Sequence, residues 1–504
     1  MNKVVCVNAV GLTDYATMPI AGGESAVDRV KRFVASLPDV NRIVTLADAG
    51  KPTPFPYERI DLASRDSASL IEALIRAAAG AEQLLYIFGD CPFLDATVTA
   101  RMLDNHVRYF AEYSFADGYP YGLTPEIVSA SILPLLLRLV SGAPDGTAPI
   151  PAEPIGRESL FTIIQKDINS FDIETEIAPV DLRMLRLSLT CDNRLNYLLC
   201  RNLAAAGATG EAALLEIVQK RQELLRTVPA YFNMQIIDGC PQACGYCPFP
   251  TFGGDILSNR NEMSVESFRR IVEKIQAFSP EATISVSLWG EPALHSGIVE
   301  MVRIVEESES IRLNIETSGV GWKPHIIDEL KAVGPKRTEW IVSLDALQPG
   351  LYANLRGNGL EEALRTIDLL LKHFDRSVHV QAVRMNENEE HLEEFYRGWK
   401  LKTDNVIIQK YDDFCGLLPS RKVTDLSPLA RHPCWHLKRD MVVLLDGTVT
   451  MCREDISRKN VLGNVFREEI EDIWNRGEDI YLTHVRKEYS QLCRGCDEYY
   501  TFNY

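Results

Sequence analysis

The sequence predicts an α/β protein whose central part is a barrel or partial barrel of repeated β/α units. Three observations carry that prediction. Strand-like runs alternate with helical patterns over residues 1–205. Six further strand-like segments, again with helices between them, follow within residues 229–420. Thiol and polar side chains collect where those later strands end, as in a barrel whose site lies on its carboxyl-terminal rim. With 504 residues the chain exceeds one hydrophobic core and suits roughly three domains.

The bulk composition narrows the function classes. A chain 46% hydrophobic and 24% charged is an ordinary globular protein. A net charge of −17 and a pI near 5.1 argue against a nucleic-acid partner. No stretch approaches the roughly 18 apolar residues of a membrane span; the best, Ile132 to Val140, is short and contains Arg138. Lys3 is followed by a β-branched run with no small-residue cleavage site, so neither a signal peptide nor a membrane partner is expected. Seven of the twelve cysteines form two tight groups. The other five (Cys6, Cys91, Cys191, Cys200 and Cys415) are scattered and are expected to be ordinary buried small residues. A reducing cytoplasm fits this usage.

In residues 1–205 the strand-like runs are Val4–Val7, Arg42–Leu46 and Gln83–Phe88, with helical spacing over Ala26–Leu37 and Ser69–Ala79. This order predicts a parallel sheet with crossover helices. The third strand ends at Phe88-Gly89-Asp90-Cys91-Pro92, where Asp90 is a candidate ligand for a divalent metal carrying phosphates. The alternative is an Asp that caps the next helix. Asp192 is a second candidate. The Gly89-Asp90-x-Pro92 turn and the segment from Asp117 to Glu126 resemble nucleotidyltransferases of the sugar-nucleotide type, which have a glycosyltransferase-A-like fold. That family grips its triphosphate with a basic glycine-rich loop. Here Gly22-Gly23 stand in a loop with no basic residue between Lys3 and Arg29. A degenerate domain is therefore expected. Residues 206–228, with Leu215, Val218 and Leu225 at helical spacing, are expected to form a linker helix.

The central strands are expected at Phe232–Asp238, Thr283–Leu288, Arg312–Glu316, Trp340–Leu344, Val378–Arg384 and Asn405–Gln409. Between the first two, Phe268, Ile271, Val272 and Ile275 form one face of a helix over Val265–Phe278, with Ser264 as its N-cap. The first strand leads into Cys240-Pro-Gln-Ala-Cys244-Gly-Tyr246-Cys247. Three thiolates so close together can hold three corners of a cubic iron–sulfur cluster and leave one iron open, whereas an electron-transfer cluster is closed by four. From this run alone, a zinc site of three Cys and one His, or chance clustering, stays open. The next strand ends carry Trp289-Gly290-Glu291-Pro292, Glu316-Thr317-Ser318-Gly319, Ser343-Leu-Asp345 and Arg384-Met-Asn386.

These residues resemble the radical S-adenosylmethionine (SAM) enzymes, whose core is a partial (β/α)6, TIM-like barrel. Cys240, Cys244 and Cys247 match that family's Cys-x3-Cys-x-aromatic-Cys signature, with Tyr246 at the aromatic position. Trp289 to Pro292 match its Gly-Gly-Glu-Pro motif apart from the first Gly. The resemblance implies that Gly290, Glu291 and Pro292 hold the methionyl amino group of S-adenosylmethionine. It places Glu316, Thr317, Ser318 and Ser343 near the ribose or carboxylate. It further implies that SAM chelates the open iron and that one electron from the reduced 4Fe–4S cluster cleaves its sulfonium bond. The resulting 5′-deoxyadenosyl radical abstracts hydrogen from a substrate. Arg356-Gly357, after Tyr352, resembles a recurring segment of the same core, with a surface salt bridge as the alternative.

Residues 421–504 bring Cys434, Cys452, Cys493 and Cys496 together with a predicted hairpin, Met441–Leu445 and Thr448–Cys452 around Asp446-Gly447. Four cysteines close a tetrahedral site, so zinc is an alternative here too. His432 and His436 flank Cys434 and are expected to be structural. The pattern Cys434, Gly447-x4-Cys452, Leu462-Gly463-Asn464-Val465 and Cys493-x2-Cys496 resembles the SPASM or twitch extension. It implies a small β-hairpin and helix domain with one fully ligated auxiliary 4Fe–4S cluster. The joint architecture resembles a spirochaete group called spiro-SPASM proteins. Implied partners are a reductant such as flavodoxin or ferredoxin and a peptide or protein side chain as substrate, with a nucleotide-linked sugar second. The competing expectation is a non-catalytic zinc- or iron–sulfur-binding scaffold or regulator.

Overall fold

The computed structural model describes residues 2–141 and 154–501. The chain forms two compact units, residues 1–225 and 226–504.

The first unit is built on a sheet of strands β1 (Lys3–Asn8), β2 (Val40–Asp48), β3 (Glu58–Leu62), β4 (Gln83–Phe88), β5 (Tyr113–Asp117), β6 (Glu126–Ser129) and β7 (Ile173–Ile177). Their order is β3-β2-β1-β4-β6-β5-β7. Strand β1 lies between β2 and β4, parallel to both. Its alternate residues serve two cores: Val4 and Cys6 pack in one, Val5 and Val7 in the other. A strand buried on both faces reads as a continuous apolar run for this reason. Helix Ala26–Ser36 starts in a capping box of Ser25 and Asp28, and helix Ser67–Ala77 is capped by Asp66. The sheet departs from the expected all-parallel order at β6, which runs antiparallel to both β4 and β5. The short connection from Asp117 to Glu126 has no room for a crossover helix, so the chain must turn back.

The expected linker also differs. Helix Glu211–Lys220 buries Leu214, Leu215 and Val218 with Leu199 and Leu203 of the first unit. Its apolar face makes it part of that core, and the first unit ends after it.

The second unit holds six parallel strands: β8 (Tyr231–Met234), β9 (Thr283–Ser285), β10 (Arg312–Thr317), β11 (Thr338–Ser343), β12 (Val378–Arg384) and β13 (Val406–Lys410). Helices between them bury one face each. Val265–Phe278 places Phe268, Ile271, Val272 and Ile275 in the core, and the Ser264 hydroxyl accepts from the Ser267 N–H. The expected partial barrel is borne out as an open α/β sheet. Strand β8 stops four residues before its expected end, because Gln235 and Ile237 form isolated antiparallel bridges to Ser287 and Glu262 instead.

The C-terminal hairpin, β14 (Asp440–Val443) with β15 (Thr448–Thr450), is followed by β16 (Val461–Asn464). Gly447 takes a φ of +79° at its turn. Strand β14 pairs in parallel with β8, Phe232 opposite Met441 and Asn233 opposite Val442. The hairpin thus continues the barrel's sheet and covers the edge that β8 would otherwise expose. Residues 226–504 form one compact unit. Among the described residues no helix is long and apolar enough to cross a membrane.

Candidate functional site

The three thiols of the central loop sit at the carboxyl end of β8. Cys240 N–H donates to the Ile256 carbonyl at 2.9 Å, Gly245 N–H to Leu355 at 3.0 Å and Cys247 N–H to Cys244 at 3.1 Å. Burial pushes the Cys240 and Cys247 thiols up to about 12 and raises Cys244 as well. Thiols held protonated this way give up their protons when a thiophilic cation binds, so the loop is suited to a metal group.

A buried polar network lies under the loop. Arg356 Nη1 is 2.7 Å from an Asp345 carboxylate oxygen and also donates to the Tyr246 hydroxyl. Arg356 Nε donates to Gln242 Oε1 at 3.1 Å, and Gln242 Nε2 to the Tyr352 hydroxyl at 2.7 Å. The Tyr246 hydroxyl in turn donates to Asp345. The alternative of a surface salt bridge at Arg356 is overturned: its side chain is 5% exposed. Tyr246 therefore ties the cysteine loop to the ends of β11 and of helix Pro349–Arg356.

Glu291 joins two other strand ends. Its carboxylate accepts from the Thr317 hydroxyl, from the Ser318 N–H at 2.8 Å and hydroxyl at 2.6 Å, and from the Ala293 N–H at 3.1 Å. Burial raises its pKa and these donors oppose the rise. A Cβ on Gly290 would stand 2.2 Å from the Ile237 carbonyl oxygen, so only glycine lets the motif lie against the end of the first strand. Glu291 N–H donates to the Gly239 carbonyl at 2.8 Å, beside Cys240. Pro292 opens a short turn after it.

A third group gathers Glu316 and Ser343. The Ser343 hydroxyl donates to Glu316 Oε1 at 3.1 Å, and Gln381 Nε2 reaches both, at 3.0 and 3.1 Å. Gln381 was not among the expected residues. Its signal is a lone amide inside the apolar run of β12. Trp289, where the motif has Gly, adopts φ = +51°. Its ring packs 6.1 Å from Phe249 and 5.5 Å from Phe414.

The second cysteine group surrounds a cavity lined by Cys434, Cys452, Cys493 and Cys496. Cys415 lines it too, against the expectation of an ordinary scattered cysteine. Burial raises Cys434, Cys452 and Cys493, whereas Cys496 is lowered because the Cys415 S–H donates to it. His436 bonds to Asp440 at 2.6 Å and to the Glu498 carbonyl at 3.0 Å, a structural role. His484, Glu454 and Arg431 also line the cavity, and both His484 ring nitrogens, Glu454 Oε2 and Arg431 Nε are buried without a hydrogen-bond partner. Such orphaned atoms fit a wall made for an inorganic group. Among the described residues no three thiols have their sulfurs all within 4.8 Å of one another. One zinc ion, with Zn–S bonds of about 2.3 Å, would bring its sulfurs to about 3.8 Å, and a cluster spaces its ligands more widely.

In the first unit Asp90 meets neither expectation. Arg157 donates to the Asp90 carboxylate at 3.1 and 2.5 Å and reaches Asp192 at 3.0 Å, standing where a shared cation would lie. The guanidinium rests on Phe88 and Tyr121, 5.0 and 5.6 Å from their ring centres. The helix Ala96–Arg108 is capped by Asp95 instead.

Comparison with known proteins places these features. Residues 234–397 match the family model of the radical SAM superfamily, and residues 434–497 match SPASM, an iron–sulfur cluster-binding domain. The chain is 41% identical over 364 residues to an uncharacterized protein of Treponema pallidum, covering 68% of this chain and 98% of that one. It is 27% identical over 169 residues to a GTP 3′,8-cyclase of Alkaliphilus oremlandii, covering 33% and 51% of the two chains. It is 30% identical over 134 residues to a PqqA peptide cyclase of Ruegeria pomeroyi, covering 26% and 33%. The chain thus spans about half the length of the first of these two enzymes and a third of the second. The matched domains overturn the alternative of a non-catalytic metal-binding scaffold. The chain belongs to the radical SAM superfamily, as an enzyme of a 4Fe–4S cluster and S-adenosylmethionine with a SPASM iron–sulfur domain behind its core.

Proposed function

We propose that Cys240, Cys244 and Cys247 hold three irons of the SAM-binding cluster, and that S-adenosylmethionine completes the fourth. The observation that carries this reading is the Glu291 carboxylate, which fastens the second and third strand ends while its own N–H fastens Gly290–Pro292 to Gly239, next to Cys240. When bound, cluster and cofactor supply one-electron cleavage of the sulfonium C–S bond and abstraction of a hydrogen atom from substrate. The backbone of Gly290–Pro292 offers carbonyls to the methionyl ammonium, and Glu291, Thr317 and Ser318 orient that backbone. Glu316, Ser343 and Gln381 form the polar wall for the ribose or carboxylate. Tyr246, anchored by Asp345 and Arg356, keeps the loop in place and excludes water from its inner side.

The auxiliary centre, in this reading, is one 4Fe–4S cluster on Cys434, Cys452, Cys493 and Cys496. The substrate is a peptide or protein side chain, a reading supported by the likeness to a PqqA peptide cyclase. The residues about 229–420 and 421–504 supply the core and the auxiliary site, a flavodoxin- or ferredoxin-type protein supplies electrons, and a reducing cytoplasm keeps the thiols available. Residues 1–205 form a degenerate nucleotidyltransferase-like part, because Arg157 neutralises both acidic candidates. That pairing also argues against a nucleotide-linked sugar held through a metal. Anaerobic purification followed by iron, sulfide and 5′-deoxyadenosine assays tests the reading. It requires about eight irons per chain and deoxyadenosine on reduction with S-adenosylmethionine, increased by a substrate peptide. Zinc-loaded, iron-free protein sinks it.

A further inference from the structure

Five thiols line the auxiliary cavity, one more than a cubane cluster has corners. The extra one, Cys415, lies outside the matched iron–sulfur segment, residues 434–497. It is delivered by a turn in which Phe414, Cys415 and Gly416 all have positive φ, at 51°, 57° and 81°. L-residues avoid that region, and runs of them persist only where the surroundings hold them. Here the Phe414 N–H donates to Asp412 at 2.8 Å and the Gly416 N–H to Asp413 at 3.0 Å. The Phe414 ring is packed against Trp289 and lies 5.9 Å from the Arg453 guanidinium. The outcome is a Cys415 held against the segment that carries Cys496: its carbonyl oxygen would lie 3.9 Å from a Cβ on Gly495, and its thiol lines the same cavity as Cys496.

A second observation shows that this cavity is made to be filled. His484 is 2% exposed and lines it, with both ring nitrogens lacking a partner. A buried imidazole left unsatisfied on both sides carries a desolvation cost that a bound polar group removes. The thiols and this imidazole face one volume, and Cys415 is as much a part of its wall as the four cysteines of the motif.

We propose that Cys415 is a fifth ligand-capable thiol of the auxiliary centre, sharing one iron corner of the bound cluster with Cys496. The inference rests on the auxiliary-cluster reading given above. The exchange is balanced: the iron–Cys496 bond breaks, an iron–Cys415 bond forms, and the Cys415 proton passes to Cys496, with no electron gained or lost. Two adjacent thiols of one cavity compete for one corner, so the cluster keeps four thiolate ligands while one sulfur is free at any moment.

The test uses the full chain, purified anaerobically, with Cys240, Cys244 and Cys247 all changed to Ser so that the remaining iron reports the auxiliary centre alone. About four irons per chain are expected. Adding Cys496→Ser is expected to keep them, and adding both Cys415→Ser and Cys496→Ser to remove them. A loss of iron on Cys496→Ser alone, as complete as on Cys434→Ser, overturns the proposal. Cys415→Ser alone supplies a second reading that does not require the Cys496 variant to fold. Its reduced cluster is expected to give a simpler electron paramagnetic resonance spectrum than the parent, and identical spectra overturn the proposal. Iron absent from the parent itself refutes the auxiliary-cluster reading, and the proposal with it.

Discussion

The Arg356 guanidinium stands 2.7 Å from the Asp345 carboxylate directly beneath the cysteine loop, and both side chains are almost fully buried. The Val383 N–H donates to the other Asp345 oxygen at 2.8 Å, so the pair also pins β12. Removing one member leaves an uncompensated buried charge, which costs about 3–5 kcal/mol. Arg356→Met is expected to lower the urea midpoint accordingly and to reduce iron loading on the cysteine loop. The double variant Arg356→Met/Asp345→Asn is expected to lose less than the two single losses combined. An unchanged midpoint in the single variant contradicts this role.

Gly290 allows a contact that no other residue permits, since its Cβ would meet the Ile237 carbonyl at 2.2 Å. Gly290→Ala is expected to displace Glu291 and Pro292 without touching the thiols. Iron content should stay at the wild-type level while 5′-deoxyadenosine formation falls about 100-fold, the usual cost of a misplacement near 1 Å. Equal losses of iron and activity would point to a folding defect instead.

Glu126 sets a pH dependence in the first unit. Burial raises its pKa to about 7, against the opposing hydrogen bond from the Tyr113 hydroxyl. A carboxyl whose folded value lies above its unfolded value of about 4.5 binds its proton more tightly in the native state. Its contribution is therefore full below about 4.5 and is lost as pH rises through about 7, a change on the order of 3 kcal/mol. Glu126→Gln keeps an acceptor for Tyr113 and should flatten that part of the urea-stability profile. A wild-type profile without the decline would contradict the assignment.

Arg157 takes the position between Asp90 and Asp192 that a divalent cation would need. Wild-type protein is expected to show no manganese binding at these residues by titration calorimetry. Arg157→Ala should create binding that Asp90→Ala then removes. Asp90→Ala by itself should leave deoxyadenosine formation unchanged, and a large loss would assign the first unit a part in the reaction.

Trp289 opposes two effects at one residue. Its positive φ costs about 1 kcal/mol relative to glycine. Its contacts with Phe249 and Phe414 contribute about 0.5–1.5 kcal/mol each beyond the area they bury. Trp289→Gly is therefore expected to destabilise by about 1–2 kcal/mol net, read from thermal unfolding. A stabilised variant would mean that the backbone strain outweighs the packing.

Much of the architecture is written in short-range patterns. The helix Val265–Phe278 and the strands Gln83–Phe88 and Val378–Arg384 run between the residues their spacing and composition predict. Periodicity and caps act over a few residues, and so they survive in the linear chain. The spacing of Cys240, Cys244 and Cys247 is legible for the same reason, as is the Cys493-x2-Cys496 pair. The antiparallel direction of strand β6 is not legible in the sequence, because it depends on the length of a turn and on its neighbours.

Other features belong to the folded chain alone. Glu291 meets Thr317 and Ser318 only because β9 and β10 are paired side by side. Cys415 reads as one more scattered cysteine until a left-handed turn carries it into the wall of the auxiliary cavity beside Cys496. Arg157 lies far along the chain from Asp90, yet fills its carboxylate's surroundings. By itself, the sequence determined the α/β order, the three-thiol loop and the strand-end residues that mark the radical SAM core. The tertiary structure decided which of these residues share a site and which further side chains join them. The physical reason is range: turn and helix preferences are settled between near neighbours, whereas buried hydrogen bonds and charge pairs form only where packing brings distant segments together.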